Sequence, residues 1–332
     1  MIDVPTLFIL GAGASKPYGY PLGTELRTEI INNFLMIFSG IINMSPLRER
    51  DKNEHLRGAK DFIEHFAKAP VTSIDKYLAF NPSFKYYGKI AITICIVQRE
   101  MQSTFLDQME EPFKKQDWYR LLFNRMISTF NGPDDYKKFP ENQIAFITFN
   151  YDRSLEHFLF SSFQHNFWQQ RGKFERTLKD YLPFPIIHVY GQCAQFIQEP
   201  ISGLRLNTEI DYGETVADFE TFKSLSSGIH VVGEERSDNQ LQSRIHELIK
   251  QYKRIFFLGF GYADENLEAL GFQDIIDINW KIYGTAHGMT KKEIEQVRRS
   301  LIRNFKSDIP FEMFLNPYVE DKNSHDLLRE YL

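Results

Sequence analysis

Five residues at the end of an apolar run, Gly11-Ala12-Gly13-Ala14-Ser15, have the makeup of a loop that wraps an anion. Two glycines let the backbone approach a pyrophosphate and turn its N–H groups toward it. The third glycine of G-x-G-x-x-G is missing, because Lys16 holds that place. No second strand ending in an acid follows about 20 residues later. A tight strand-to-helix turn with no ligand accounts for the same residues. A second group, Thr148-Phe149-Asn150-Tyr151-Asp152, also follows an apolar run. Thr148 and Asn150 share a face by the strand period, and Asn150 offers both a donor and an acceptor. Asp152 can serve a site or cap the next helix. The third group, His188-Val189-Tyr190-Gly191, sets an imidazole and a phenol on one strand face. A histidine titrates near neutral pH, although a lone one is more often structural. The fourth, Gly259-Phe260-Gly261-Tyr262-Ala263-Asp264-Glu265-Asn266, is another strand–glycine–helix junction. It suits the other half of a dinucleotide, or Asp264 and Asn266 simply cap a short helix.

The elements that position these groups follow from hydrophobic patterning. Thr6–Leu10, Gln143–Phe149, Pro185–Tyr190, Arg254–Gly259 and Ile278–Tyr283 read as strands, with a short one at Ile229–Val232. The first is continuously apolar, as a strand buried on both faces must be. A turn-rich stretch through Pro21 leads into a helix from about Thr24, its N-cap, to Phe38. Residues 39–56, with the charged run Ser45–Glu54, read as a loop. From 57 to about 130 the pattern is helical, with a long helix over Lys85–Met109. Further helices are expected at Arg153–Phe163, Asn239–Tyr252 and Lys291–Phe305. Strands alternating with helices predict an α/β fold: a Rossmann-like open parallel sheet with helices on both faces. The helical block reads as an insertion at about 25–140 within one domain spanning 1–332.

Composition narrows the classes. The chain has 332 residues, 42% hydrophobic, with 30 phenylalanines, so it can bury a large core. Its 39 basic and 44 acidic residues give a net charge of −5, which argues against direct nucleic-acid binding. The longest apolar run, Ile90–Val97 around Thr93, is too short to span a membrane. Two cysteines, Cys95 and Cys193, cannot build a zinc ribbon or a C-x-x-C redox site. With no positive leader at the N-terminus, they fit a reducing cytoplasm. No G-x-x-x-x-G-K-[ST] and no H-E-x-x-H occurs, against a phosphate-loop ATPase and a zinc protease.

Taken in order, G-A-G-A-S, T-F-N-Y-D, H-V-Y-G and L-G-F-G-Y-A-D-E-N-L resemble the sirtuin-like family, over residues 6 to about 287. Ser73-Ile74-Asp75-Lys76-Tyr77-Leu78 and Tyr283-Gly284-Thr285-Ala286 add smaller similarities. The likeness is closer to the bacterial sirtuin-like NAD hydrolases of phage defence than to protein deacylases. It implies NAD+ as substrate, with no metal. Gly11, Ala12, Gly13, Ala14 and Ser15 would surround the pyrophosphate and ribose, with Pro21 and Asp75 also at the cofactor. Asn150 would stand at the nicotinamide ribose beside Thr148 and Asp152, and Gly259, Gly261, Tyr262 and Asn266 at the adenosine end. Two departures stand out. The four zinc cysteines of deacylating sirtuins are absent, and Tyr190 occupies the position of their catalytic histidine. His188 lies one strand period earlier and can project on the same face.

The expected chemistry is cleavage of the nicotinamide–ribose bond, with Asn150, His188 and Tyr190 as catalytic candidates. Asn150 would orient the ribose and water, and His188 would accept a proton. A phenol with pKa ~10 is a poor base at neutral pH. The resemblance also implies restraint and activation, by homo-oligomer assembly or by a partner such as a hexameric DNA-translocating ATPase. The helical insertion and the basic 291–306 helix are candidate contact surfaces, although a solvated helix face is the favoured reading of the latter. Two alternatives remain: an NAD-dependent protein deacylase, and a non-catalytic module that senses NAD or ADP-ribose.

Overall fold

The apolar runs at 6–10, 144–148 and 254–258 become the middle of the sheet. The computed structural model describes residues 1–102, 113–173, 182–193, 210, 212–231, 234, 239–272, 280–304 and 317–332. Among these, one parallel sheet contains β1 (Thr6–Leu10), β2 (Ile144–Thr148), β3 (Ile186–His188), β4 (Arg254–Leu258), β5 (Lys281–Thr285) and β6 (Tyr318–Glu320). Their order is β3-β2-β1-β4-β5-β6. Every residue of β1 and β2 is buried, hence their lack of alternation. Leu10 pairs with Thr148 on one side and with Leu258 on the other. The connection reverses direction between β1 and β4, and ligands of open α/β sheets settle at the strand carboxyl ends beside such a reversal.

Between β1 and β2 the described chain is helical. It contains α1 (Ala12–Ser15), α2 (Gly23–Met44), α3 (Glu49–Lys68), α4 (Ile74–Phe80), α5 (Lys85–Gln102) and α6 (Trp118–Met126), with short 3-10 turns. Phe8, Leu10, Phe146, Phe256 and Leu258 face this insertion, in one core with Phe34, Phe38, Phe62 and Phe66. Phe34 and Phe38 stack at 5.1 Å and Phe62 and Phe66 at 5.6 Å, each pair one helical turn apart. Beyond β2 come α7 (Ser154–Asn166), α8 (Phe219–Ser227), α9 (Asn239–Gln251), α10 (Asp264–Leu270), α11 (Lys291–Asn304) and α12 (Ser324–Tyr331). Leu7, Ile9, Ile147, Ile255 and Phe257 point to the opposite face. There they meet Ile245 and Ile249 of α9, Leu267 of α10 and Leu301 of α11. The fold is thus α/β: a Rossmann-like open parallel sheet, covered on both faces, with a helical insertion.

Several sequence expectations need correction. The stretch 39–56 is not a loop: α2 continues to Met44 and α3 starts at Glu49. Glu49 and Asp51 lie in the first turn of α3, where negative charge suits the helix dipole, while Phe62 and Phe66 fill its buried face. The N-cap of α2 is Leu22 rather than Thr24, and the Glu25 carboxylate takes the Leu22 N–H at 2.8 Å. Ile229 forms an isolated bridge with Gly191 instead of a strand; Val232 lies outside the described residues. The strand expected at Ile278–Tyr283 is β5, shifted to Lys281–Thr285, with 278–279 outside the described residues. The helix expected over Lys85–Met109 is described to Gln102. β6 was not anticipated. Among the described residues, no helix is long and apolar enough to cross a membrane.

Candidate functional site

The glycine loop is shaped first by its neighbour. The Gly11 N–H donates to the Leu258 carbonyl at 3.0 Å, and the Gly13 N–H to the Gly259 carbonyl at 2.9 Å. A Cβ on Gly11 would lie 2.6 Å from the Gly259 oxygen, and one on Gly13 2.8 Å from the Gly259 Cα. Gly259 sits at φ +55, and a Cβ there would lie 2.0 Å from the Ala14 nitrogen. The loops after β1 and β4 therefore touch backbone to backbone, which only glycine allows. From behind, the Trp118 indole N–H holds the Ala14 carbonyl at 2.8 Å. Lys16, in the place of the third glycine, turns to Glu25 at 2.6 Å. Pro21 is buried in the turn before α2.

Asn150 sits against this loop. Its amide Nδ2 donates to the Gly11 carbonyl at 3.1 Å and to Ser15 Oγ at 2.9 Å. A carbonyl can only accept, so the amide orientation is fixed, and among the described residues Oδ1 is left for a ligand. The Asn150 N–H donates to Thr148 Oγ1 at 3.1 Å. Asp152 accepts from the Ser154 N–H at 3.0 Å, from the Ser154 hydroxyl and from the Ser15 hydroxyl. Burial pushes its carboxyl up, and these donors oppose the shift. Its bond to the Ser154 N–H lies at the start of α7, so Asp152 serves both the helix entry and the site network. Ser154 in turn meets the Tyr119 hydroxyl at 2.8 Å. Ser15 is thus shared between the loop, Asn150 and Asp152.

His188 ends β3 directly opposite Thr148. Its Nδ1 lies 3.0 Å from the Asn150 carbonyl and its Nε2 2.6 Å from Glu156 Oε1. Burial works against its charged form; the Glu156 charge and hydrogen bond, the Asn150 carbonyl and Asp152 outweigh that, and its pKa is raised. A role as proton acceptor requires one of these nitrogens to be released. Tyr190 is turned elsewhere: its hydroxyl donates to Asn266 Oδ1 at 2.9 Å, joining the end of β3 to α10.

The second glycine junction has a different character. Tyr262 holds φ 54, unusual for a residue with a side chain. Its ring is buried against Phe257 and Phe260, and its hydroxyl donates to the Thr285 carbonyl at 3.1 Å. Gly261 is exposed, with open space where a Cβ would be. Asp75, at the start of α4, accepts from the Tyr151 hydroxyl, so the insertion does reach the N-Y-D segment. Burial pushes the Asp75 carboxyl up, against the Tyr151 bond.

Sequence reasoning missed Glu156, Glu100, Arg153 and Tyr119. Arg153 and Glu100 form a buried bidentate pair, with Nε to Oε1 at 3.0 Å and Nη2 to Oε2 at 3.0 Å; Arg153 Nη1 also reaches the Ile210 carbonyl at 2.8 Å. Burial pushes Glu100 up to about 6 against the pull of Arg153. Glu156 alone carried a sequence signal, an acid one helical turn after Asp152. Among the described residues, no group of three His, Cys, Asp or Glu side chains could hold a metal ion. Cys95 and Cys193 are buried free thiols.

No family model matches the chain, and no curated protein matches its sequence. Fold and site together define its class: a Rossmann-like α/β protein with an asparagine-centred polar network beside the switch point of its sheet.

Proposed function

We propose that the chain is an NAD+ hydrolase, which cleaves the nicotinamide–ribose bond to give nicotinamide and ADP-ribose. The observation that carries this reading is the Asn150 amide. It is tied to the glycine loop at both hydrogens, with Oδ1 left to accept from a ribose hydroxyl or a water. Gly11–Ser15 would lie along the pyrophosphate and ribose, and Gly259, Gly261 and Asn266 along the adenosine half. The C1′–N bond breaks with its electron pair passing to nicotinamide, which leaves neutral. Water forms the new C1′–O bond and releases a proton to solvent. The protein's part is to hold the ribose, stabilise the cation-like transition state and place the water. Uncontrolled NAD+ depletion is toxic, so the same reading includes restraint until assembly or a partner activates the chain, as suits an effector of antiphage defence.

The test is incubation of purified protein with NAD+, following nicotinamide release and recording oligomeric state by light scattering. Turnover that needs no lysine peptide supports the hydrolase; peptide dependence would instead indicate a deacylase. One observation favours a second reading, a non-catalytic NAD or ADP-ribose sensor: both nitrogens of His188 face acceptors. Tight binding without turnover, in every assembly state, would select it.

A further inference from the structure

We infer that Glu156 and His188 form a positioning couple, in which a doubly protonated His188 clamps the Asn150 backbone instead of exchanging protons with substrate or water. The inference rests on the reading of Asn150 as the centre of an NAD+-cleaving site. It starts from two distances: Nδ1 to the Asn150 carbonyl, 3.0 Å, and Nε2 to Glu156 Oε1, 2.6 Å. A carbonyl oxygen accepts only, and an ionised carboxylate accepts only. A neutral imidazole has one N–H and one lone pair, so a neutral ring would aim its lone pair at one of these acceptors. A proton on the carboxyl would relieve the conflict, but an imidazole is by its nature a stronger base than a carboxylate. Both ring nitrogens therefore carry hydrogen.

The surroundings agree. The side chains of His188 and Glu156 are 9% and 6% exposed, so neither charge is solvated unless the other is present. Glu156 sits in the first turn of α7, where an acid suits the helix. Asp152, in the loop between β2 and α7, also acts on the ring. The neighbouring cation, Arg153, is turned to Glu100 of α5. Asn150 is thereby fixed at three points: its N–H by Thr148, its carbonyl by His188 and its amide by Gly11 and Ser15. The ring belongs to the scaffold of the asparagine, and its proton is needed for the clamp. The clamp is complete at low pH and is lost as pH rises through the raised pKa of His188.

Two readouts test this. In the full chain carrying 15N-labelled histidine, both ring nitrogens of His188 should report N–H at pH ~7.5, and Glu156→Gln should lower its titration midpoint by roughly one unit or more. A neutral single-tautomer ring at that pH in the wild-type protein overturns the proposal, whatever the chain's activity. In nicotinamide release, His188→Gln supplies two N–H donors with no titrating proton. It should keep kcat within about tenfold of wild type and flatten the alkaline limb of the pH profile, because a general base is worth about 100-fold or more. A folded His188→Gln protein, checked by circular dichroism, that loses kcat by that larger factor also overturns it. A wild-type chain that releases no nicotinamide defeats the catalytic reading of Asn150, while the nitrogen spectra still decide the state of His188.

Discussion

The two strand–glycine–helix junctions look alike as sequence and differ as chemistry. After β1, the loop Gly11–Ser15 is surrounded by Asn150, Asp152, Ser154 and Tyr119, joined through Ser15. After β4, the loop beginning at Gly259 is surrounded by Phe257, Phe260 and Tyr262, with Thr285 as its polar partner. Gly11, Gly13 and Gly259 are explained by the close approach of the two loops to one another, whereas Gly261 meets open space. The glycines thus report how the loops fit together. The polar side chains around one of them report where chemistry can occur.

Gly259→Ala should be the most damaging, since it forces a Cβ onto the Ala14 backbone at positive φ. A loss of roughly 3 kcal/mol or more is expected from urea denaturation. A change below about 0.5 kcal/mol, the size of an ordinary surface substitution, would mean that the loops do not touch in solution.

Next, the buried Glu100–Arg153 pair should make stability pH-dependent. Burial raises Glu100 in the folded chain to about 6, from the 4.5 of an ordinary glutamate. Its favourable contribution is complete below the unfolded value and is lost as pH climbs through the folded one. Denaturation midpoints should show this decline between those two values in wild type and lose it in Glu100→Gln. An unchanged slope in the variant would place the titration elsewhere.

Tyr190→Phe removes the bond to Asn266. It should cost about 1 kcal/mol, the size of one net hydrogen bond, and leave turnover within about tenfold of wild type. A loss of about 100-fold, the scale of acid–base catalysis, would restore Tyr190 as a group that acts at the ribose. The smallest effect belongs to Gly261→Ala, which meets open space and should stay within about 0.5 kcal/mol in a thermal melt.

The same contrast explains what could be read from the sequence. β1, β2 and β4 are continuous apolar runs that end at a glycine or an asparagine, so both strands and junctions stand out. β6 is three residues at the sheet edge, too short for periodicity to register. The Glu49–Glu54 charges suggested a loop because the pattern that makes α3 a helix, Phe62 and Phe66 one turn apart, begins only later in it. At the site, Asn150 was legible because it stands past the carboxyl end of a buried strand, where open α/β sheets bind ligands. Glu156 offered only its spacing from Asp152, and the Glu100–Arg153 pair was not legible: its charges look like solvated ones until the fold brings Glu100 to Arg153 across 53 positions. His188 was legible as a residue but not as a role, because its role depends on the two acceptors facing its ring.

Under the proposed function, Asn150, held against the first glycine loop, makes that loop an NAD+-cleaving site. The most direct measurement compares nicotinamide release by wild type and Asn150→Ala at equal protein concentration and in the same oligomeric state. Turnover by wild type and a fall of about 100-fold in the folded variant, comparable to removal of one preorganised electrostatic contact, is the predicted result. Undiminished turnover in the Asn150→Ala protein, or none in wild type in any assembly state, would contradict it.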